Sequence, residues 1–201
     1  HLEVTRLPIF DHDGEVDGVC TIARDVTERR HLQAQVLQSA KLAAVGKLPL
    51  GGGQAVEAGF LERAAGERAL VFFGFPGCSR SCPATLGALA AAYPELRRLA
   101  PQLSVFFVNL EPYGDRARTA TYVAGFHPAF RAVAPDRDTL SRLSRSFGAW
   151  LYETGAEREP FHNPYVYVLE RGAAGWRIQG RIPADGEVVG GVHRYLKSPT
   201  T

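Results

Sequence analysis

Two cysteines four positions apart, Cys78 and Cys82, sit in the stretch VFFGFPGCSRSCP that runs from Val71 to Pro83. Thiols at that spacing support two kinds of chemistry. They can approach within disulfide range, or both can face one soft metal ion as thiolates. A pair of buried thiols with a purely structural role is the third reading. Two thiolates favour Cu(I), and an added imidazole would help to hold Cu(II) as well. His162, in the EPFHNP loop from Glu159 to Pro164, precedes an apolar run and is placed to reach over a sheet end toward the cysteines. A loop histidine is more commonly a surface or hydrogen-bonded residue, so both readings stand for His162. His127 and His193 have no positional argument of this kind. Zinc lacks a second cysteine pair or a spaced histidine pair to complete four ligands. No methionine is present, so a soft metal must be held by Cys and His. The residues before Cys78 also lack the Thr-x-x-Cys arrangement of thiol peroxidases.

The elements around the pair explain why it would be reactive. ALVFFGF, residues 69–75, has the length and aromatic content of a buried strand, and the residues from Pro83 to Tyr93 place Leu86, Leu89, Ala90 and Tyr93 on one helical face. Proline suits the first turn of a helix, and a helix N-terminus stabilises a thiolate. Further along, the spacing predicts a short helix at 57–64, a strand at 103–109, a helix at 115–125, a short strand at 130–133, and a helix capped by Asp136 carrying Leu140, Leu143 and Phe147. Strands at 150–152, 165–169 and 176–182 and a helix at 187–196 complete the series. Alternating strands and helices followed by a hairpin and helix predict an α/β fold with a mixed sheet.

Composition narrows the partners. The chain has 201 residues, a formal net charge of +2 from 23 basic and 21 acidic residues, and an apolar fraction of 45%. That is enough for a real core, with no basic stripe for nucleic acid. No apolar run approaches the roughly 20 residues of a membrane span. The three cysteines are too few for a disulfide scaffold. The N-terminus has neither a methionine nor the regions of a signal peptide, which suggests an internal fragment.

Two resemblances add to this reading. LPIFDHDGEVDGVCTIARDVTERR resembles the C-terminal end of a PAS sensory domain, and HLQAQVLQSAKLAAVGKL resembles the start of a sensor histidine kinase dimerisation helix. The PAS pocket half, the phosphoacceptor His-Glu pair and an ATP-binding domain do not follow the pattern, and His31 lies too early to serve as phosphoacceptor. No kinase activity is expected. The second resemblance covers residues 48 to 197: FFGFPGCSRSCPATL, FFVNLEPYGD, FHPAF, LSRSFGAW and FHNPYVYVLE are similar to the SCO/SenC family of copper-binding, thioredoxin-fold proteins linked to cytochrome c oxidase assembly. The resemblance implies a thioredoxin-like mixed sheet flanked by helices, with the N-terminal β-hairpin and helix as an appendage. It also implies copper ligands at Cys78, Cys82 and His162. Where the family often has Pro-Asp after the first cysteine and Asp-His-Ser around the histidine, this chain has Ser79-Arg80 and Phe161-His162-Asn163. The charge between the cysteines changes by about two units, which bears on copper affinity, thiol potential and partner choice.

The expectations are therefore a PAS-like hairpin at 1–30, a sensor-kinase-like helix at 31–47 with dimerising potential, and an SCO-like domain at 48–201. The leading function is a copper metallochaperone whose partner is a copper acceptor such as an oxidase subunit. The alternatives are a thiol-disulfide oxidoreductase using Cys78 and Cys82 on a thiol partner, and a copper or redox sensing module. The SCO resemblance implies a site of action on the outer side of a bacterial membrane, and the PAS and kinase resemblance implies the cytoplasm.

Overall fold

The computed structural model describes residues 2–10, 16–25, 53–79, 81–111, 114–149, 151–152, 161–162 and 164–197. The chain forms two compact units, His1–Pro49 and Leu50–Thr201. In the first, β1 (Leu2–Phe10) and β2 (Val16–Asp25) pair antiparallel from Leu2↔Asp25 to Phe10↔Val16, with a register shift between Ile9 and Phe10. This is the hairpin that the sequence predicts. The helix expected at 31–47, with His31, lies outside the described residues.

The second unit is built on a six-stranded sheet. Its strands are β3 (Gln54–Ala55), β4 (Arg68–Gly74), β5 (Ser104–Asn109), β6 (Arg131–Val133), β9 (Tyr165–Gly172) and β10 (Gly175–Pro183), in the order β3-β10-β9-β4-β5-β6. The two short strands β7 (Leu151–Tyr152) and β8 (Phe161–His162) pair apart from it. β4 runs parallel to β5, and β5 to β6, while β4 and β9 are antiparallel, as are β9 and β10. The sheet is therefore mixed. Gly175 takes a φ of 99° at the β9–β10 turn, a conformation open to glycine at no steric cost.

Strand alternation sends side chains to two separate cores. Leu70, Phe72, Val105, Phe107, Val166 and Val168 join helices α1 (Ser81–Leu99), α2 (Arg116–Ala124) and α4 (Val188–Lys197) through Leu86, Leu89, Val123, Val192 and Leu196. Ala69, Val71, Phe73, Phe106, Val108, Tyr167 and Leu169 point the other way. They meet α3 (Arg137–Phe147) and the 3-10 turn Gly59–Arg63, which replaces the short helix expected there. Phe147 is fully buried and packs edge-on against Phe73 and Tyr167, at centroid distances of 5.0 and 5.2 Å.

Two boundaries differ from the sequence reading. Helix α1 starts at Ser81, so Cys82 lies inside its first turn, and it continues through Pro94 to Leu99. Pro94 removes one intrahelical hydrogen bond, a cost of about 3 kcal/mol in an isolated helix. The burial of Tyr93 and Leu96 and the Tyr93 hydroxyl bond to the Leu103 carbonyl at 2.9 Å hold the last turns in place. Residues 161–162 form a strand where a loop is expected, because they pair with 151–152.

Phe147→Ala should lower unfolding stability by roughly 3–5 kcal/mol, the cost of a buried aromatic cavity, read from urea denaturation. A second test concerns the cap of α3. The Asp136 carboxylate accepts the Thr139 N–H at 2.7 Å, and this bond holds its pKa below the ordinary value. A depressed carboxylate pKa contributes stability that is full above about pH 4 and fades as pH falls through the folded value. Asp136→Asn keeps a capping group without that titration. Its midpoint should therefore fall less than that of the parent protein between pH 5 and pH 2 (scanning range), measured by thermal melts.

Candidate metal centre

The strand β4 ends at Gly74, and its chain enters a Pro76-Gly77 turn closed by the Cys78 N–H bond to the Phe75 carbonyl at 3.1 Å. Cys78 thus faces inward and is 7% exposed. Four residues later Cys82 projects from the first turn of α1 and is fully buried. Pro83 occupies that same turn, where a missing N–H costs no hydrogen bond. Cys78 and Cys82 are not joined to each other by a disulfide.

His162 arrives from the opposite direction in the chain. β8 leads through Pro164 into β9, and β9 pairs antiparallel with β4 up to Phe72↔Val166. The entry of β9 is therefore at the same sheet end as the exit of β4. His162 is 4% exposed, with its ring edge-on to Phe72 and Phe75 at centroid distances of 6.0 and 5.8 Å. Its Nε2 lies 3.2 Å from Cys82 Sγ and 3.9 Å from Cys78 Sγ. Burial against two aromatic rings excludes the surface reading of this histidine.

The three donor atoms all lie within 4.8 Å of one another. Donors sharing one ion at about 2.0–2.3 Å in a trigonal arrangement stand roughly 3.5–4 Å apart. The two sulfur–nitrogen separations, 3.2 and 3.9 Å, lie near that range, so the set suits a single soft cation. Two sulfurs and one imidazole suit copper in particular. Ser81 Oγ stands 4.0 Å from Cys78 Sγ at the rim.

The other histidines are elsewhere. His127 packs on Tyr93 and Phe130, and its Nδ1 accepts the Ala129 N–H at 3.1 Å. His193 on α4 meets Glu95 on α1 at 3.1 Å. Arg80, between the cysteines, and Asn163, beside His162, lie outside the described residues.

Gly74 belongs to this site although the sequence reading passes over it. A Cβ there would stand 2.6 Å from Cys82 Sγ and 2.9 Å from the Phe107 ring. The missing side chain is the space that the deep sulfur occupies. A glycine inside an otherwise apolar strand run is the signal that could have found it.

A family model described as SCO1/SenC matches residues 53–185, and one described as PAS fold matches residues 1–31. The mitochondrial SCO2 homolog of Bos taurus is 25% identical over 205 residues, covering 96% of this chain and 75% of that protein. The mitochondrial SCO1 homolog of Homo sapiens is 25% identical over 178 residues, covering 82% and 59%. Among solved structures, apo Sco1 from Thermus thermophilus has a TM-score of 0.54 at 23% identity, covering 68% of this chain and 79% of its own. Copper-bound ScoI from Bradyrhizobium japonicum has a TM-score of 0.54 at 19% identity, covering 67% and 88%. These two structures share the mixed sheet and flanking helices of the second unit. With a family model spanning most of that unit and the Cys78, Cys82 and His162 side chains assembled at the end of its sheet, the chain belongs to the SCO1/SenC family.

Proposed function

We propose that this chain is a copper-binding metallochaperone of SCO type, with Cys78 and Cys82 as thiolate ligands and His162 as the imidazole ligand. The convergence of these three donors within 4.8 Å carries the proposal. Copper-bound relatives from Bradyrhizobium japonicum, Arabidopsis thaliana and yeast support it. Copper here is cargo. Cys78 is the more exposed sulfur, so an incoming acceptor ligand meets the ion from that side, while Cys82 and His162 hold it from below. Each thiol gives up its proton as the ion binds, which makes affinity fall with falling pH.

The acceptor is the copper site of another protein, and an oxidase subunit is the class that family resemblance implies. The mitochondrial relatives and a Bacillus anthracis lipoprotein relative favour a domain working on the outer side of a membrane. Among the described residues no helix is long and apolar enough to cross a membrane. The division into a PAS-like hairpin at 1–30, a dimerising helix at 31–47 and an SCO-like domain from 48 onward is part of the same proposal, as is a role for the first two as a copper or redox reporter.

The second reading is thiol-disulfide exchange, favoured by two cysteine sulfurs within 4.8 Å of each other that are not joined by a disulfide. Cys78 thiolate would attack a partner disulfide, and Cys82 would resolve the mixed disulfide. The partner is reduced to a dithiol and the pair becomes the Cys78–Cys82 disulfide. This reading does not need the histidine.

Titration of the reduced protein with Cu(I) should give one ion per chain, with Cys78→Ser, Cys82→Ser and His162→Ala each weakening binding by tenfold or more, on the order of the loss of one ligand. Stoichiometric binding unchanged in all three would sink the copper reading. Dithiol exchange retained in His162→Ala alongside lost copper binding separates the two activities. Gly74→Ala should both lower stability, by about 1–3 kcal/mol from overpacking, and weaken copper binding, because the new methyl occupies the position next to Cys82 Sγ. A variant that loses stability but binds copper at parent affinity would show that the clearance serves packing alone.

A further inference from the structure

A cation is packed over the turn that carries Cys78. A Cβ on the exposed Gly77 would stand 3.8 Å from the Arg118 guanidinium and 3.6 Å from the Phe75 ring. Consecutive Cα atoms are about 3.8 Å apart, so the guanidinium lies within about 9 Å of the Cys78 Cα. That is inside the Debye length of about 10 Å at 0.1 M salt, and its charge therefore acts on whatever approaches Cys78. Arg118 reaches the turn from the start of α2, where Arg116 is exposed as well. No carboxylate is paired with the guanidinium among the described residues. The two acids nearest to it in sequence are turned to other groups. Asp115 Oδ1 accepts the Ala117 and Arg118 N–H groups at 2.7 and 3.2 Å, and Glu111 Oε2 accepts the Asn109 amide at 3.3 Å. From Ala69 to Pro94 the sequence has no carboxylate at all. The planar guanidinium fork matches a carboxylate, and at this turn that carboxylate has to come from outside.

We propose that Arg118 is a specificity-determining residue for the partner that meets Cys78. It favours a protein segment that presents a carboxylate beside its reacting sulfur or copper ligand, and it disfavours one that presents an ammonium there. For copper transfer this rests on the copper reading; for thiol-disulfide exchange it does not. Cys78 is the more exposed of the two sulfurs, so the partner arrives on the side where the guanidinium stands. An exposed charge adds little to stability, but it changes how often and in which orientation two proteins meet. Arg118 thus acts on the encounter, while the buried sulfur and imidazole act on the ion.

The test uses the full chain and short disulfide-bridged peptides that differ at one position beside a cysteine, occupied by Glu, Gln or Lys. In the metal-free reduced protein the Cys78 thiolate attacks the peptide disulfide, Cys82 then closes the Cys78–Cys82 disulfide, and the peptide leaves as its dithiol. The ratio of the Glu-peptide rate to the Lys-peptide rate cancels any change in thiol reactivity, because both peptides meet the same sulfur. At an ionic strength of about 0.01 M the ratio should exceed one severalfold, and at about 1 M it should approach one. Arg118→Gln should lower the low-salt ratio by about fivefold, the effect of one unit charge at roughly 9 Å in water on two peptides that differ by two charges. Arg118→Glu should invert the preference, and Arg118→Lys should keep most of it. Arg145→Gln, which removes an exposed charge on α3, should leave the ratio in place. The same order is expected for Cu(I) transfer from the loaded protein to the reduced peptides. A ratio unchanged in Arg118→Gln, or lowered as much by Arg145→Gln, would overturn the proposal. If the parent protein binds no copper, the copper reading fails by itself, and the exchange rates alone then decide for or against Arg118. A parent that neither exchanges with the peptides nor passes copper to them leaves Arg118 no reaction to steer and ends the proposal too.

Discussion

The antiparallel pairing of β4 with β9 is the constraint on which the site depends. Five register pairs, from Arg68↔Glu170 to Phe72↔Val166, fix the exit of β4 beside the entry of β9. Cys82 and His162, eighty residues apart in sequence, become neighbours only because those two ends coincide. The pairing is itself anchored by burial, since Leu70, Val71, Phe72, Phe73, Val166, Tyr167 and Leu169 are all at most 1% exposed. Sliding the register by one residue would turn both strands inside out with respect to their two cores. The placement of Cys82 beside His162 thus follows from the register of the hydrophobic core.

The parallel neighbour β5 completes the frame. The Leu110 N–H bonds the Gly74 carbonyl at 2.8 Å, which ties the end of β4 to the segment leaving β5. Just beyond, the buried Asn109 amide donates to Thr119 Oγ1 at 2.9 Å, and its Oδ1 accepts the Glu111 N–H at 2.9 Å. Asp115 caps α2 through the Ala117 and Arg118 N–H groups. This chain of bonds positions α2 against the end of β5. Polar groups buried this way are costly unless paired, so the network holds the helix in one place rather than merely near it.

Most of the second unit was legible from residue pattern, because its strands are short apolar runs and its helices carry clear apolar faces. Residues 69–75, 103–109 and 165–169 were read as strands for that reason, and the cap at Asp136 for its residue type and position. His162 was legible only in part. A two-residue strand has no periodicity, so Phe161–His162 looked like loop until its partner Leu151–Tyr152 was in place. The end of α1 was missed because a helix that runs through Pro94 is held by tertiary contacts of Tyr93 and Leu96, which local propensity does not contain. Gly74 carried a signal, a glycine inside an apolar strand run, but what its missing side chain makes room for, Cys82 Sγ, is visible only once the helix is packed on the sheet.

The division between the buried Cys82 and His162 side chains and the exposed loop also bears on what can change in such a protein. Cys82 and His162 sit in the core, where a substitution meets packing on every side, whereas Ser79 is exposed and has no place in either hydrophobic cluster. Charge at the loop can therefore change at little cost in stability, while charge at the ligands cannot. The Arg118 guanidinium already lies beside this turn, 3.8 Å from where a Gly77 Cβ would be, so a cation faces the rim near the more exposed sulfur. Rim charge acts mainly on the rate and choice of encounter, and buried ligands act on how firmly the ion is held. On the proposed copper reading, the ability to bind a soft cation and the choice of acceptor are carried by different residues, and the second can diverge while the first stays fixed by the fold.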